Sequence, residues 1–412
     1  MADSEQGETF VVAGASLAGA TTASALRDEG FDGRIVLIGE EAERPYERPP
    51  LSKGYLQGKS EKETIYVHPE DWYASHDVEL ILGTRVTDAD GPAHEVTLSG
   101  GRQLRYTKLV LATGSSPRRL TVPGAELDGL LYLRRVEDSE QIRETFGSVS
   151  RIAVIGGGWI GLEVTAAARL AGVEVTLIER SELPLLRVLG PEVAEIFADL
   201  HRGHGVDLRF GEQIEEITGN GGRARGVRLS SGEIEAEAFV VGVGIVPNTA
   251  LAEAAGLGVD DGVVVDEFLR SSDPAVYAVG DVASAFHPLL GRHIRVEHWA
   301  NALNQPKYLA KTMVGHDAAY DRVPYFFTDQ YDLGMEYTGY VAPGGYDKVV
   351  FRGDRDGGEF IAFWLKNGRV LAGMNVNVWD VTDRIQALIR SRQPVDPNKL
   401  ADVDLPLENV SR

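Results

Sequence analysis

The 412-residue sequence contains no cysteine. Disulfides, thiolate metal sites, iron–sulfur ligation by this chain and a redox-active cysteine pair are therefore excluded. No apolar run approaches membrane-spanning length, and the sequence opens into a strand pattern without a basic, apolar leader. We therefore expect a cytoplasmic protein with no membrane partner. Any electrons that it moves would have to travel through bound organic cofactors.

Basic residues are fewer than acidic ones, 41 against 62, which gives a formal net charge of −21. This balance argues against nucleic acid and anionic membranes as partners. The histidines show no ligand spacing, so we assign no metal site. Chain length and a hydrophobic content of 43% predict two to three domains, each with its own core.

Glycine-rich turn patterns occur twice, each between an apolar strand pattern and a helical one. The second copy places Gly156, Gly158 and Gly161 directly after the apolar residues 152–155. The first glycine allows a sharp turn, the second lets the backbone approach a pyrophosphate, and the third lets helix and strand pack closely. The phosphates would then lie at the helix N-terminus.

An acidic residue, Glu179, closes the strand that follows this helix, 18 residues after Gly161. A carboxylate in this place can bind the ribose hydroxyls of an adenosine, and its charge repels a 2′-phosphate. NADH is therefore favoured over NADPH. Arg180 and Arg187 leave some room for NADPH, since a guanidinium can hold a 2′-phosphate bidentately.

The first copy places Gly14 and Gly19 after the apolar residues 10–13, with Ser16 where the middle glycine usually stands. Serine adds only a small side chain, so we count Ser16 with the cofactor-binding residues. Glu40, 21 residues after Gly19, is the ribose acid of this copy. One such pattern alone could be an ordinary strand–helix turn. Two complete copies predict two dinucleotides, and hence electron transfer between bound cofactors.

Four further segments carry a family resemblance: Glu43–Lys53, with its Pro-Pro-Leu-Ser-Lys ending, Ala112–Gly114, Tyr277–Asp281 and Glu297–Ala302. With the two glycine patterns, the chain resembles the FAD-dependent ferredoxin reductases of bacterial oxygenase systems from Phe10 to about Leu407. The resemblance implies an α/β, glutathione-reductase-like fold with two Rossmann-type domains and a C-terminal α+β domain. The implied boundaries are 1–115 and 248–322 for FAD, 116–247 for NADH and 323–412 for the C-terminal domain.

The resemblance also implies site residues for each cofactor. Those for FAD are Gly14, Ala18, Gly19, Glu40, Lys53, Val86, Arg134, Asp281 and Trp299. Those for NADH are Gly156, Gly158, Ile160, Gly161, Glu163, Glu179, Arg187, Gly244 and Glu297. Phe327 stands where the family usually has a tryptophan that covers the nicotinamide side of the flavin. Phenylalanine keeps the stacking face but lacks the indole N–H, and it could also be a simple core residue.

Lys53 and Asp281 also have a physical argument of their own. Lys53 follows two prolines that fix the backbone, so its ammonium can be aimed at the flavin, although a solvated surface lysine is the alternative. The family pattern pairs it with Glu163, and we expect this pair to act in catalysis. Asp281 can accept a ribityl hydroxyl at the end of a buried strand, or it could cap a helix that begins at Val282.

The resemblance implies a function: hydride passes from NADH to FAD, and single electrons pass on to an acidic iron–sulfur ferredoxin that feeds a cytochrome P450 or a Rieske-type oxygenase. An acidic partner requires a local basic patch on this acidic chain. Lys307 and Lys311, four residues apart on one helix face, are candidates with Arg295 nearby; an ordinary solvated face is the alternative. Two other classes share the fold. A binding flavoprotein of the apoptosis-inducing-factor type stays possible, whereas an NADH oxidase of this architecture would work through a cysteine.

The last ninety residues show a different pattern. Alternating apolar residues over 346–351 and 360–370, with a turn at Asn367-Gly368, predict a hairpin. Residues 380–390 predict one amphipathic helix.

Overall fold

The computed structural model describes residues 7–411, and their contacts divide the chain into two units. The first comprises the chain up to Arg48, Lys62–Ser116 and Val246–Arg322. The second comprises Pro49–Glu61, Pro117–Ile245 and Val323–Arg412. Lys53 therefore belongs to the same unit as Glu163.

The α-helices of the described residues are α1 Leu17–Asp28, α2 Trp72–Ser75, α3 Val136–Phe146, α4 Trp159–Leu170, α5 Leu186–Leu189, α6 Pro191–Gly203, α7 Ala250–Ala254, α8 Trp299–Met313, α9 Thr382–Ser391 and α10 Pro397–Ala401. The strands are β1 Thr9–Ala13, β2 Arg34–Ile38, β3 Val78–Ile81, β4 Val86–Asp90, β5 Glu95–Leu98, β6 Gln103–Arg105, β7 Lys108–Leu111, β8 Ser115–Pro117, β9 Leu130–Tyr132, β10 Arg151–Ile155, β11 Glu174–Glu179, β12 Asp207–Phe210, β13 Ile214–Asn220, β14 Arg223–Leu229, β15 Gly232–Glu235, β16 Ala238–Val241, β17 Ile245–Pro247, β18 Val263–Val265, β19 Val276–Ala278, β20 Ala283–His287, β21 Arg292–Arg295, β22 Tyr325–Gln330, β23 Leu333–Gly339, β24 Lys348–Asp354, β25 Glu359–Lys366 and β26 Arg369–Val376.

The first unit is built around a five-stranded parallel sheet of order β19-β7-β1-β2-β3. Its central strands read as continuous apolar runs because helices and loops cover both faces, so that almost every side chain is buried. Helix α1 packs against α8. A small antiparallel sheet, β4-β5-β6, and a mixed one, β18-β20-β21, complete this unit.

The second unit contains a parallel sheet of order β12-β11-β10-β16-β9 and an antiparallel sheet, β13-β14-β15. Its C-terminal part is a five-stranded antiparallel sheet of order β22-β23-β26-β25-β24. The fully buried Trp364 connects this sheet to α5, since its indole N–H donates to the carbonyl of Leu189 at 2.9 Å.

In the C-terminal part, three strands, β24, β25 and β26, lie where the sequence predicts the two strands of one hairpin. Asn367 and Gly368 have φ of 52° and 73°, the left-handed pair that a tight turn requires, but this turn joins β25 to β26. Residues 360–370 therefore span two strands, and the segment that begins near Tyr346 pairs with the first of them. Helix α9 lies within two residues of its predicted position.

Among the described residues, no helix is long and apolar enough to cross a membrane.

Candidate functional site

The second glycine loop combines two crowded glycines with one open glycine. A Cβ on Gly156 (φ 107°) would lie 2.3 Å from the carbonyl oxygen of Gly242, and one on Gly161 would lie 1.9 Å from that of Gly156. Both positions therefore tolerate glycine only. Gly158, the N-cap of α4, differs, because a Cβ there would meet no protein atom within 4 Å. Open space at the N-terminus of a twelve-residue helix fits an approaching phosphate.

The acid of this loop, Glu179, ends β11 with its carboxylate turned toward the loop backbone. It accepts hydrogen bonds from the N–H of Gly157 at 2.6 Å and of Ser181 at 2.7 Å. The other predicted residues nearby lie at the edge of the loop. Ile160 is 43% exposed in the first turn of α4, and Arg187 is exposed in α5.

Gly244 follows β16 with φ of 99°, and its carbonyl accepts the backbone N–H of Arg118 at 2.9 Å. Arg134 lies just before α3, and its backbone N–H donates to Asp138 at 2.9 Å.

The first glycine loop repeats the crowding of the second. A Cβ on Gly14 (φ 121°) would lie 2.1 Å from the carbonyl oxygen of Ala112, and one on Gly19 would lie 1.9 Å from that of Gly14. Ser16 is the N-cap of α1, and its hydroxyl makes no capping hydrogen bond. It thus takes the place that Gly158 holds in the second loop. Ala18 is buried in the first turn of α1.

The remaining predicted FAD residues of the first unit surround the ends of its strands. Glu40 is half exposed and pairs with Arg85 at 2.7 Å, and Val86 is buried at the start of β4. Asp281 accepts a hydrogen bond from the Ser115 hydroxyl at 2.8 Å. The helix-cap alternative for Asp281 is wrong, because it lies inside one 3₁₀ turn that leads directly into β20.

Two predicted residues, Glu297 and Trp299, lie at the start of α8. Glu297 pairs with Arg295, which also pairs with Asp261 at 3.1 Å. Burial raises the pKa of Glu297, and the Arg295 guanidinium opposes this shift. Trp299 begins α8. Burial raises the pKa of Glu47, and the Trp299 indole opposes this shift.

The predicted docking cations separate into two kinds. Arg295 is only 10% exposed and its charge is balanced by two carboxylates, so it adds little to a basic surface. Lys307 and Lys311 are both exposed on α8. Within residues 7–411, neither lysine forms an ion pair.

The catalytic pair expected from the resemblance forms a compact cluster in the second unit. Lys53 Nζ lies 2.7 Å from Glu163 Oε1, and the two side chains are 15% and 3% exposed, so Lys53 is not a solvated surface lysine. Thr328 donates to the same oxygen at 2.5 Å, and Ser52 donates to the other oxygen. The Phe327 ring centroid is 5.3 Å from Lys53 Nζ, within cation–π range.

Ser52 and Thr328 were absent from the predicted site. Their hydroxyls reach a carboxylate that is 111 and 165 residues away in sequence, and nothing in the local pattern signals such contacts. Their positions beside the predicted Lys53 and Phe327 were the only available indication.

A family model described as pyridine nucleotide-disulphide oxidoreductase matches residues 8–305, and one described as reductase C-terminal matches residues 325–411. The chain belongs to the pyridine nucleotide-disulphide oxidoreductase family. Putidaredoxin reductase of Pseudomonas putida is 38% identical over 98% of this chain and 96% of its own. The ferredoxin–NAD(+) reductase component of the anthranilate 1,2-dioxygenase system of Burkholderia cepacia is 40% identical, over 96% of this chain and 97% of its own.

Solved structures agree with this assignment. A chain in the crystal structure of the covalent putidaredoxin reductase–putidaredoxin complex matches with a TM-score of 0.93 and 38% identity, over 98% of each chain. The glutathione-reductase-like α/β fold implied by the sequence is thereby confirmed. Without cysteine, this member of the pyridine nucleotide-disulphide oxidoreductase family lacks the disulfide of the family description.

Family membership implies FAD and NAD(H) as cofactors. The residues present fit both groups, because in each unit a tight glycine turn leads from a parallel strand into the N-terminus of a twelve-residue helix, where a dinucleotide pyrophosphate binds. In the second unit the open position, Gly158, leaves room for a phosphate in addition.

Proposed function

We propose that this chain passes electrons from NADH through FAD to a small iron–sulfur ferredoxin. The observation that carries the proposal is the combination, in one cysteine-free chain, of two crowded glycine loops with the buried Lys53–Glu163 pair. Two nucleotide sites without a thiol suit electron transfer between organic cofactors. The names of the relatives point in the same direction, since one is a putidaredoxin reductase and the other is the ferredoxin–NAD(+) reductase component of a dioxygenase system.

Bound FAD supplies the change from two-electron to one-electron chemistry, because hydride carriers move electron pairs whereas iron–sulfur clusters accept single electrons. The side chains of this protein bind and orient. Gly14 and Gly19 let α1 begin against β1 for the FAD pyrophosphate, and Asp281 offers a carboxylate to a ribityl hydroxyl. We assign to Gly158 and Glu179 the binding of the pyrophosphate and ribose of NADH, which the open space at Gly158 and the position of Glu179 beside the loop support.

The roles of Lys53, Glu163 and Phe327 follow from their cluster. Glu163 holds the Lys53 ammonium by an ion pair, and the Phe327 ring lies against the same ammonium. We assign to Lys53 the electrostatic tuning of the flavin and to Phe327 the cover of its nicotinamide side. A fixed ammonium stabilises negative charge on an adjacent group more effectively than a mobile one, because no reorganisation is needed.

The terminal acceptor of this pathway would be an oxygenase. Among the relatives, one is named for an anthranilate dioxygenase system, and the structural neighbour is a complex with putidaredoxin. We therefore propose a cytochrome P450 or a Rieske-type oxygenase as the enzyme that the ferredoxin serves.

The test is anaerobic reduction followed by electron transfer. Purified protein reconstituted with FAD should lose its yellow absorbance when NADH is added without oxygen. Cytochrome c reduction should then depend on an added ferredoxin from the same genome neighbourhood. A flavin that stays oxidised would contradict the proposal, and a long-lived reduced complex indifferent to every ferredoxin would favour a binding flavoprotein.

We propose Lys307 and Lys311 as the docking cations for an acidic ferredoxin. Replacement of both by glutamate should lower ferredoxin-dependent turnover about tenfold at low salt, since charges at an interface mainly control association. Reduction of a small dye by NADH should not change. The measurement is the steady-state rate at several ferredoxin concentrations and ionic strengths.

Lys348→Glu/Lys366→Glu provides the matched control, since both lysines are exposed on the C-terminal sheet and the change in net charge is the same. Equal losses in the two double variants would assign the effect to overall charge. Unchanged ferredoxin kinetics in the Lys307/Lys311 variant would remove α8 as the docking surface.

A further inference from the structure

The hydrogen bonding around Glu163 does not end at Thr328. The Gln330 side-chain amide donates to the Thr328 hydroxyl at 3.3 Å, and His201 Nε2 lies 2.9 Å from Gln330 Oε1. The Tyr331 hydroxyl lies 3.3 Å from His201 Nδ1. Thr328, Gln330 and His201 are each 1% exposed or less. A buried polar chain thus runs from α6 through β22 to the catalytic pair, wholly within the second unit.

The donor and acceptor properties of each group give this chain of hydrogen bonds a single direction. The Glu163 carboxylate accepts, so the single proton of the Thr328 hydroxyl is donated to it. The Thr328 oxygen therefore accepts from the Gln330 amide N–H, and Gln330 Oε1 faces His201. An amide oxygen cannot donate, so His201 must carry its proton on Nε2.

His201 is suited to this fixed role. Burial lowers its pKa to about 4, with the Gln330 hydrogen bond opposing the shift and the nearby His204 adding to it. The ring is therefore neutral at physiological pH and holds one proton. With that proton on Nε2, its Nδ1 accepts from the Tyr331 hydroxyl, so every donor in the chain points toward Glu163.

We propose that His201 and Gln330 are positioning residues for the Glu163–Lys53 ion pair, because they turn the Thr328 hydroxyl toward the carboxylate. If the histidine proton were on Nδ1, the amide would turn round and the Thr328 proton would point to Gln330 instead. Glu163 would then lose one of its three donors. The inference rests on the proposed function only for what the pair does; the hydrogen-bond chain is a property of the protein itself.

The first experiment reads the histidine tautomer directly. Protein labelled with ¹⁵N-histidine and loaded with FAD is examined by long-range ¹⁵N–¹H correlation at neutral pH, and the His201 signals are identified by their loss in His201→Gln. We expect a protonated Nε2 and an unprotonated Nδ1. A proton on Nδ1, or a mixture of the two tautomers, would overturn the inference.

The second experiment reads the freedom of the Lys53 amine. Acylation of Lys53 is measured by mass spectrometry against the exposed Lys348 as internal reference, without NADH or ferredoxin. An amine held in an ion pair is less free to attack the reagent. Thr328→Val removes one hydrogen bond to the carboxylate, so the relative rate at Lys53 should rise about tenfold. Thr328→Ser should restore the slow rate, and Gln330→Leu should resemble Thr328→Val.

Thr338→Val is the matched control. Thr338 is fully buried on the adjacent β23, and its hydroxyl has no hydrogen-bond partner within the described residues. This variant also replaces a buried threonine by valine, but it leaves the chain of hydrogen bonds to Glu163 intact. The rate of Lys53 acylation should therefore match that of wild type. Equal Lys53 rates in Thr328→Val and Thr338→Val would contradict the proposal. Neither readout uses electron transfer, so failure of the proposed function would appear separately, in anaerobic reduction by NADH.

Discussion

Replacement of Gly158 by alanine is expected to abolish most NADH binding while leaving the fold and the FAD content intact. An added Cβ at this position meets no protein atom within 4 Å, and the backbone has an ordinary φ of −80°. The substitution should therefore cost the coenzyme-free protein little stability. If a pyrophosphate approaches this backbone, however, the methyl group lies in its way. An overpacking cost of about 1–3 kcal/mol corresponds to a dissociation constant about 5–150-fold higher.

The measurement is NADH affinity, from titration of the oxidised protein with NAD+ and from the concentration dependence of flavin reduction. Thermal unfolding and flavin absorbance report the fold and the FAD site. Gly203→Ala serves as the control, because a Cβ there also meets nothing and the position ends α6 away from the loop. Wild-type NADH affinity in Gly158→Ala would mean that the coenzyme phosphates lie elsewhere.

Gly156→Ala should behave differently from Gly158→Ala. Its φ is 107°, and the new Cβ would lie 2.3 Å from a backbone carbonyl oxygen that cannot move away cheaply. We expect this variant to lose stability as well as NADH affinity. The contrast between the two glycines separates a requirement of the fold from a requirement of the ligand.

The glycine loops could be predicted from sequence because their requirements are local. The turn after a strand, the approach of a helix and the acid at the end of the next strand all lie within about 30 residues, the span of one βαβ unit. The spacing of Gly156 and Gly161 can therefore be recognised in the sequence. Helix α9, predicted at residues 380–390, could be predicted for the same reason, since a helical period repeats over a few turns.

The Glu163 cluster could not be predicted in this way. It joins Ser52, Glu163 and Thr328, which come from three distant segments, and only the fold brings them together. The resemblance supplied the Lys53–Glu163 pair but neither hydroxyl. In the predicted docking patch, the sequence suggested a free charge that the fold balances. Arg295 looks like a free cation in the sequence, but Asp261, 34 residues away, is one of two carboxylates that balance its charge in the fold.

Loss of the Lys53 ammonium should destabilise the second unit strongly, and loss of the Glu163 charge should reverse most of that effect. Lys53→Met leaves a carboxylate that is 3% exposed without its cation, which costs about 3–5 kcal/mol for a buried pair. In Lys53→Met/Glu163→Gln the buried charge is gone, while the amide oxygen can still accept from Ser52 or Thr328. The double variant should therefore be more stable than Lys53→Met alone.

Urea unfolding of the four proteins, followed by far-UV circular dichroism with FAD bound, gives the coupling between the two side chains. Arg151→Met is the control, because Arg151 forms an ion pair of nearly the same length, 2.8 Å, with Glu174, and both side chains are more than half exposed. Surface pairs of this kind contribute little, so its midpoint should stay near that of wild type. A Lys53→Met midpoint as high as that of Arg151→Met would show that water screens the Lys53–Glu163 pair. The electrostatic role assigned to Lys53 beside the flavin would then lose its physical basis, because only a pair shielded from water can hold an ammonium in one place with its field intact.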